Sequence, residues 1–288
     1  MIGVTCARGK TGRAILNWLE SSGLEVRGIV KEPDLLSDDK SFGTAETAIA
    51  NLSDQAGLTK AFEGLSQLYY IAPNMNVNER FYGHNVVKAA QRVGLKKIVF
   101  HSMLHTQIRA LPHHWERHHV EAEIISSGLN FVILQCGSYM QNMLPSWPKM
   151  LETRVHSMPY GVDVPMSLVD LNDICEVAEK ILAASDLDNG IFEIAGPPIS
   201  LREKAIILSQ VLGITIEAKK EDLANALGFA QSHGLDEYSL NTLSLMFPYY
   251  DEHGLVASPK VLEWLLGRPP TGFEEFVARV NEERSLHI

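Results

Sequence analysis

The first twelve residues join a short apolar run to an amphipathic segment through a turn that contains glycines. Residues 2–4 are small or apolar, Gly9 and Gly12 follow three residues apart, and the next apolar side chains recur at helical spacing. This order predicts a strand, a phosphate-binding loop and a helix, whose positive end faces a dinucleotide pyrophosphate. Cys6 stands where such loops usually carry their first glycine. A chain that begins this way is expected to build a βαβ unit.

Short apolar strands alternate with helices of about 11 to 16 residues over most of the chain. The strands are expected at 24–30, 47–50, 68–72, 97–101, 131–134 and 191–195. This alternation predicts an α/β fold with a doubly wound parallel sheet, because right-handed helical crossovers join strands that run in one direction. From Ser200 onward the pattern is mostly helical. We therefore expect a Rossmann domain over residues 1–150, completed by strands and a helix within about 163–196, and a smaller, mostly helical substrate-binding region mainly over 151–288.

Charge and cysteine content narrow the classes of partner. The 288 residues include 25 Lys and Arg against 35 Asp and Glu, a net charge of −10, which disfavours nucleic acid as a partner. The three cysteines are widely spaced, so neither a disulfide framework nor a zinc pattern is expected. No apolar run approaches the roughly 20 residues of a membrane helix, and no basic leader precedes the first strand. These features predict a soluble, cytoplasmic protein with no membrane partner.

Motifs spread over nearly the whole chain follow the pattern of one family. They are Val4-Thr-Cys-Ala-Arg-Gly-Lys-Thr-Gly12, Asn85-Val-Val-Lys-Ala-Ala, Gly94-Leu-Lys-Lys-Ile-Val-Phe, the segment from Glu121 through Ser127-Gly-Leu-Asn-Phe-Val-Ile-Leu134 with Tyr139-Met-Gln-Asn142, and Trp264-Leu-Leu-Gly-Arg-Pro-Pro-Thr-Gly-Phe-Glu-Glu-Phe-Val277. Together they resemble the NmrA-like branch of the atypical short-chain dehydrogenases/reductases. That family includes reductases of aromatic, quinone or isoflavonoid-type substrates as well as redox-sensing regulators, so the resemblance implies a Rossmann fold and leaves the activity open.

The resemblance implies a cofactor site around the first loop. Gly9 and Gly12 take the second and third glycine positions of the family's loop, where a side chain would block the pyrophosphate or the helix–strand packing. Asn51 takes the place where the family usually has an Asp near the adenine. The full set of expected cofactor-binding residues is Thr5, Cys6, Arg8, Gly9, Lys10, Thr11, Gly12, Lys31, Asn51, Ala72 and Pro73, with the last two along the nicotinamide. The alternative is an ordinary strand–helix turn without a ligand.

Lys31 decides which nicotinamide cofactor is expected. A site selective for NAD usually carries an acidic residue at the end of the second strand, whereas this strand ends with a lysine. Lys31 resembles the basic position with which NADP-preferring relatives hold the 2′-phosphate, and Arg8 can add a second cation. We therefore expect NADP(H) as the cofactor. The alternative is that both are solvated surface charges, because Glu32 lies alongside.

The reaction site departs from the family's usual chemistry. Short-chain reductases ordinarily use Tyr-x-x-x-Lys, whose i, i+4 spacing puts both groups on one helical face. In this chain the resemblance puts His113 at the Tyr position and Arg117 at the Lys position, and Ser102 matches the family's hydroxyl position. His113 is then the candidate proton donor, Ser102 a group that positions a substrate oxygen, and Arg117 an electrostatic support. The alternatives are a solvated or structural pair at a helix start and a strand-end hydroxyl satisfied by its own backbone.

Aromatic, thioether and imidazole side chains are expected to line a substrate pocket suited to a planar molecule. These residues are His101, His105, Trp115, Tyr139, Met140 and Met143. The alternative is that several of them are simply core residues, which must hold for some of them in a chain with this many packed helices. His114 and His118 have the i, i+4 spacing of metal ligands, but no Cys or H-E-x-x-H motif accompanies them, so no metal is expected. The segment 235–256 is equally compatible with a lid and with a contact between subunits, and the second alternative would make the protein a homodimer.

Two functions of different classes follow from these features. The first is an NADPH-dependent reductase of a small aromatic, quinone or polyketide-like carbonyl or enone. The second is a non-catalytic NADP(H) sensor that binds a protein partner, which the missing Tyr-x-x-x-Lys pair favours.

Overall fold

A computed structural model describes residues 1–31 and 45–285, so Glu32 lies outside the described residues. The chain forms two compact units. The first unit consists of residues 1–136 together with 174–192, and the second consists of residues 137–173 and those from 193 onward. The boundary follows Cys136, whereas the sequence pattern predicts it near residue 150. The difference arises because the main chain of Gly137 bonds to Ile194, and residues 138–139 then pair with a strand of the second unit.

The structure contains short strands and mostly longer helices. The strands are β1 (Ile2–Val4), β2 (Val26–Val30), β3 (Glu46–Ile49), β4 (Gln67–Ile71), β5 (Lys97–Met103), β6 (Asn130–Cys136), β7 (Ser138–Tyr139), β8 (Val155–Met158), β9 (Met166–Val169), β10 (Gly190–Ile194), β11 (Pro198–Ile199) and β12 (Glu217–Lys220). The helices are α1 (Lys10–Ser21), α2 (Gln55–Phe62), α3 (Glu79–Val93), α4 (Pro112–Ile125), α5 (Trp147–Thr153), α6 (Leu171–Ala183), α7 (Leu201–Leu212), α8 (Leu223–Ser232), α9 (Glu237–His253), α10 (Lys260–Leu266) and α11 (Phe273–Ser285).

The first unit is built on a seven-stranded sheet with the order β10-β6-β5-β4-β1-β2-β3. The pairings among β1 to β6 are all parallel. Strands buried on both faces need apolar side chains on both, and Tyr69, Tyr70 and Phe100 are accordingly fully buried in β4 and β5. The strand order reverses direction between β1 and β4, so ligands are expected beyond the carboxyl ends of these two strands.

Local sequence explains where the helices of the first unit begin and end. The side chain of Asp54 accepts a hydrogen bond from the backbone N–H of Ala56 and so caps α2. Pro112 occupies the first turn of α4, where the missing N–H costs nothing. Gly94 ends α3 with φ 69°, a left-handed conformation that glycine adopts without strain. These signals are local, and from them the sequence predicts helices over about 54–64, 78–94 and 112–127, each within about two residues of the observed bounds.

The second unit combines two small sheets with helices. Strands β11, β9 and β7 form one sheet, and β12 pairs with β8 in parallel. The buried carboxylate of Asp173 accepts hydrogen bonds from the backbone and hydroxyl of Thr271 and pairs with Arg268. The C-terminal motif of residues 264–277 is thereby held to the start of α6.

The expected α/β class with a doubly wound parallel sheet is confirmed. The strand predicted at the start of the chain is present as β1, and each of the six further strands predicted from the sequence is present with ends displaced by at most two residues. Strand β9 lies within the stretch 163–196, where strands are expected to complete the large sheet, but it pairs with β7 and β11 instead. Four further strands of two to four residues in the second unit, and the 3-10 helix Met140–Ser146, have no predicted counterpart. Such short strands lack enough residues to show an alternating pattern.

Candidate functional site

The loop between β1 and α1 holds Cys6 in an unusual backbone conformation. Its φ of 49° lies in the left-handed region, which a glycine adopts more readily than a residue with a side chain. The carbonyl oxygen of Cys6 accepts a hydrogen bond from the N–H of Gly9 at 2.9 Å, and α1 begins at the next residue. The backbone therefore makes the glycine-type turn even though the first glycine is absent.

Gly12 allows α1 to lie against this loop. A Cβ atom at Gly12 would stand 2.3 Å from the carbonyl oxygen of Cys6 and 2.8 Å from the Cα of Ala7, so no side chain fits. A Cβ at Gly9 would meet only the Cys6 oxygen, at 3.3 Å. Glycine is therefore required at position 12 by packing within the protein itself.

A cavity of about 420 Å³ lies beside the loop, at the carboxyl ends of the central strands. Its lining comprises Cys6, Arg8, Gly9, Ile29, Val30, Lys31, Ala50, Asn51, Leu52, Pro73, Asn76 and Tyr82. Six of these residues belong to the cofactor-binding set predicted from the sequence, and the structure brings them together around one space. Burial raises the pKa of the Cys6 thiol to about 11, so this cysteine lines the cavity as a neutral group.

The other residues of the predicted cofactor-binding set do not line this cavity. Thr5 is fully buried, and its hydroxyl donates to the carbonyl of Ile71 and accepts from the N–H of the same residue. Thr5 thus ties the end of β1 to the end of β4. Lys10 and Thr11 form the first turn of α1 together with Gly12. Ala72 is buried after β4, and its carbonyl lies 3.5 Å from a guanidinium nitrogen of Arg117.

Buried charges surround the two residues at the family's Tyr and Lys positions. His113 and Arg117 are 1% and 5% exposed, and both contact the fully buried carboxylate of Glu79. The Nδ1 atom of His113 lies 3.1 Å from Glu79 Oε2, and the guanidinium of Arg117 forms an ion pair with Glu79 Oε1. Among the described residues, no group makes a hydrogen bond to His113 Nε2.

Arg117 also holds the ends of two neighbouring strands. Its Nη1 donates to the carbonyl oxygen of His101 at 2.9 Å, and its guanidinium lies over the ring of Phe100, 5.6 Å from the centroid. Together with its contact to Ala72, these interactions connect α4 to the carboxyl ends of β4 and β5. The guanidinium is thus surrounded by groups of the protein itself.

Ser102 belongs to a second buried network. Its hydroxyl donates to Glu121 Oε1 at 2.5 Å, and the hydroxyl of Thr106 donates to Glu121 Oε2 at 2.8 Å. The amide of Gln135 lies 3.0 Å and 3.1 Å from the two carboxylate oxygens. The carboxylate of Glu121 is therefore satisfied by three side chains and fixes the orientation of Ser102.

The residues of the predicted substrate pocket divide between the two units. His101 is buried, its Nδ1 lies 2.8 Å from the hydroxyl of Tyr69, and burial with the nearby Arg117 lowers its pKa to about 3. His105 and Trp115 are partly exposed in the first unit, and Trp115 stacks on His118. The remaining three are in the second unit, with Tyr139 in β7 and the buried Met140 and Met143 in the following 3-10 helix. Their assignment to one pocket stays a prediction.

Several residues of the site carry no signal that singles them out in the sequence. Glu79 stands in the mostly polar stretch 74–80, which is typical of an exposed helix start. Glu121 begins one of the family motifs, but its sequence context does not show that its carboxylate is buried. Asn76 and Tyr82 follow the strand β4 closely, and only the rule that ligands lie beyond strand ends points to them. Across residues 1–31 and 45–285, no helix combines the length and apolar character of a membrane span, and no three His, Cys, Asp or Glu side chains form a group that could hold a metal ion.

Comparison with known proteins finds relatives along the full length of the chain. Quinone oxidoreductase 2 of Escherichia coli is 26% identical over 284 residues, covering 97% of this chain and 98% of the relative. An NAD(P)H azoreductase of Xenophilus azovorans is 25% identical over 290 residues, covering 96% of each chain. The crystal structure of an NADPH-dependent quinone oxidoreductase from Escherichia coli complexed with NADPH matches with a TM-score of 0.84 and 25% identity, covering 98% of this chain and 100% of that one.

The model of the NmrA-like family matches residues 1–277, and this match includes the glycine loop, the strands that border the cavity and the C-terminal motif. The chain belongs to the NmrA-like family.

Proposed function

We propose that this protein is an NADP(H)-dependent reductase of planar aromatic acceptors, with quinones as the leading substrate class. The observation that carries the proposal is the cavity beyond the carboxyl ends of the central strands, where Arg8 and Lys31 line one space with the glycine loop. Two cations beside such a loop match a ligand that carries a 2′-phosphate in addition to its pyrophosphate.

The loop supports the binding of a dinucleotide. Gly12 lets α1 approach the loop closely, and no acidic residue lies in the first turn of this helix to repel a phosphate. The NADPH complex of the Escherichia coli relative, whose structure matches over nearly all of both chains, adds support from outside this sequence. When bound, NADPH supplies a hydride, and the residues of this chain bind and orient the cofactor and the acceptor.

The contacts of the predicted catalytic residues favour an acceptor that needs little help from a protein acid. Reduction of a ketone produces an alkoxide, whereas reduction of a quinone by one hydride produces a phenolate, and a phenol has an ordinary pKa of about 10. Overall, NADPH, a quinone and one proton give NADP⁺ and a hydroquinone. The Tyr-x-x-x-Lys pair is absent from the sequence, and His113 and Ser102 are both bonded to buried carboxylates. Water can supply the proton in this reaction.

The roles predicted for His113, Ser102 and Arg117 stay proposals beside this one. Proton donation by His113 is supported by its Nε2 atom, which makes no hydrogen bond with any described residue, and by Glu79, which orients the ring through Nδ1. The 1% exposure of His113 argues against direct contact with a substrate. Ser102 would position a substrate oxygen and Arg117 would provide a fixed positive charge.

Titration with NADPH and NADH tests the cofactor assignment. We expect NADPH to bind more tightly than NADH. Lys31→Ala should raise the dissociation constant of NADPH about tenfold or more, because one charged hydrogen bond to the phosphate is lost, and should leave the dissociation constant of NADH unchanged. Lys96→Ala, which removes an exposed lysine that does not line the cavity, is the matched control. Equal or tighter binding of NADH by the wild type would refute the assignment.

Turnover with a panel of acceptors tests the reaction. We expect NADPH oxidation with quinones and planar aromatic dyes, and little with simple aliphatic ketones. Binding of NADPH without turnover of any acceptor in the panel would contradict the proposed reductase activity, but it would not contradict the proposed cofactor site.

A second candidate, an NADP(H) sensor that binds a protein partner, is favoured by one surface feature. Val77 and Phe81 are 67% and 51% exposed, and each is adjacent in sequence to a residue that lines the cavity, Asn76 or Tyr82. Exposed apolar side chains beside a nucleotide site are suited to a partner whose affinity depends on nucleotide. Pull-downs with and without NADPH test this candidate, and recovery of the same proteins in both would dismiss it.

A further inference from the structure

A lysine and a histidine of the second unit are buried where apolar side chains are the rule. Lys204 lies on the inner face of α7 together with Leu201, Ala205 and Leu208, at the spacing of one buried helical stripe, and it is 5% exposed. His156 lies in β8, which packs against α7, and it is 4% exposed. Each residue keeps a little exposure, so neither is wholly sealed from solvent.

The two basic side chains have no partner of opposite charge. Within the described part of the chain, the ammonium of Lys204 makes no hydrogen bond and no ion pair, and the Nε2 atom of His156 makes no hydrogen bond. The carboxylate next to Lys204 in sequence is used elsewhere, because Glu203 accepts hydrogen bonds from the backbone N–H and the hydroxyl of Ser200 and so caps α7.

The pKa values of both groups follow from this missing counter-charge. Burial lowers the pKa of the Lys204 ammonium to about 8. Burial and, to a smaller extent, the charge of Lys204 lower the pKa of His156 to about 3. No carboxylate of the described residues raises either pKa. At neutral pH the pair therefore consists of one buried positive charge beside a neutral imidazole.

A buried charge without a counter-charge is costly, so a ligand that supplies the counter-charge is stabilised by the site. The ammonium is a donor only, and a neutral imidazole can donate one ring N–H. A carboxylate carries one negative charge and two acceptor oxygens, so it can neutralise Lys204 and accept hydrogen bonds from both side chains. Chloride carries the same charge but is a single acceptor atom.

We propose that Lys204 and His156 form a binding site for a small carboxylate in the second unit, with one carboxylate oxygen accepting from the ammonium and the other from the imidazole. The site involves residues of the second unit alone, and its occupancy does not require NADP(H).

An NMR titration of the full-length protein without nucleotide tests this site. The probe is sodium acetate, and sodium chloride at the same ionic strength is the reference. The readout is the position of the ring C–H signals of His156, assigned through their correlation with the backbone of β8. At pH 7 we expect acetate, and not chloride, to shift these signals to saturation, with a dissociation constant of about 10 mM or lower.

A variant without the ammonium separates this site from general effects of salt. Lys204→Met should weaken acetate binding about tenfold or more, because a charged hydrogen bond is lost, and should raise the melting temperature in chloride, because an unpaired buried charge is removed. Lys219→Met is the matched control, since it removes an exposed lysine of β12. It should keep the acetate affinity of the wild type.

Each result either supports or overturns the proposal. Shifts of equal size in acetate and chloride would reveal an adventitious ion only, and no shift in acetate would mean that water alone solvates Lys204; both results overturn the carboxylate site. Equal acetate affinity in the wild type and in Lys204→Met overturns it as well. If Lys204→Met does not fold, the comparison of acetate with chloride on the wild type still decides the question.

Discussion

Arg117 Nη1 donates a 2.9 Å hydrogen bond to the main-chain carbonyl of His101, so a side chain of helix α4 holds the end of strand β5. A buried guanidinium in this position needs a counter-charge, which Glu79 supplies from the first turn of α3. The pair therefore connects two helices to the edge of the sheet beside the cavity.

Glu79→Gln is expected to destabilise the fold by about 3–5 kcal/mol, because it leaves the charge of Arg117 buried without a partner. The measurement is the free energy of unfolding in urea. Glu116→Gln is the matched control, since Glu116 pairs with Arg80 at the surface, where a salt bridge contributes about 1 kcal/mol or less. Equal losses of unfolding free energy in the two variants would show that the buried ion pair contributes no more to stability than the surface pair.

Gly12→Ala is expected to lower the melting temperature and to abolish NADPH binding, because its Cβ would stand 2.3 Å from the backbone oxygen of Cys6 and force α1 away from the loop. Gly228→Ala, at a helical glycine of α8 with open space around it, should instead raise stability by about 0.4–1 kcal/mol. Thermal unfolding of both variants checks the contrast. A Gly12→Ala protein with wild-type stability would mean that the loop adjusts without cost.

His101 gives the stability a defined dependence on pH. Its pKa is about 3 in the folded protein against an ordinary value of about 6.5. Between these two pH values the imidazole is protonated in the unfolded chain and neutral in the folded chain. This group stabilises the fold above about pH 6.5, and its contribution is lost as the pH falls toward 3, by at most about 1.4 kcal/mol per pH unit. His114, whose pKa is lowered to about 4 by burial, acts in the same direction.

Urea unfolding of the wild type and His101→Gln at pH 7, 6 and 5 tests this dependence. We expect the variant to lose stability less steeply with falling pH than the wild type, whatever its stability at pH 7. Parallel curves for the two proteins would show that His101 does not titrate as the burial requires.

The turnover of His113→Ala distinguishes a proton donor at this position from a residue that only contributes to the structure of the site. We expect quinone reduction to fall by less than about tenfold, since a general acid contributes about 10²–10⁴ only where the reaction needs its proton. For a second variant, Ser102→Ala, we expect a larger change in KM than in kcat, because a hydroxyl that only positions the acceptor contributes mainly to its binding. A loss of a hundredfold or more in kcat for His113→Ala would assign the proton donor to this residue.

The sequence predicts the sheet well because each of its strands carries its own signal. The runs around Tyr69 and Phe100 are apolar on both faces, and Gly94 and Pro112 mark helix boundaries locally. The strands β8 and β12 are four residues long and are partly polar, so their pairing depends on tertiary contacts that no local pattern reports.

The candidate site is predictable only in part for a similar reason. Arg8, Lys31 and Asn51 follow β1, β2 and β3, and the parallel order of these strands places all three residues at the same end of the sheet. The burial of Glu79 depends on the approach of α4 to α3, and the sequence of α3 alone does not distinguish a buried glutamate from a solvated one. The orientation of Asn51 depends on a single backbone N–H.

The route of the chain through its two units has a consequence for how the protein could be divided. The chain passes from one unit to the other after residues 136, 173 and 192, so neither unit is a continuous stretch of sequence. A gene fragment that stops after β6 would encode a sheet without β10 and without helix α6, leaving the edge of β6 uncovered. Neither unit can therefore be transferred to another protein as one continuous segment, and recombination that exchanges the second unit would have to join the chains at three points.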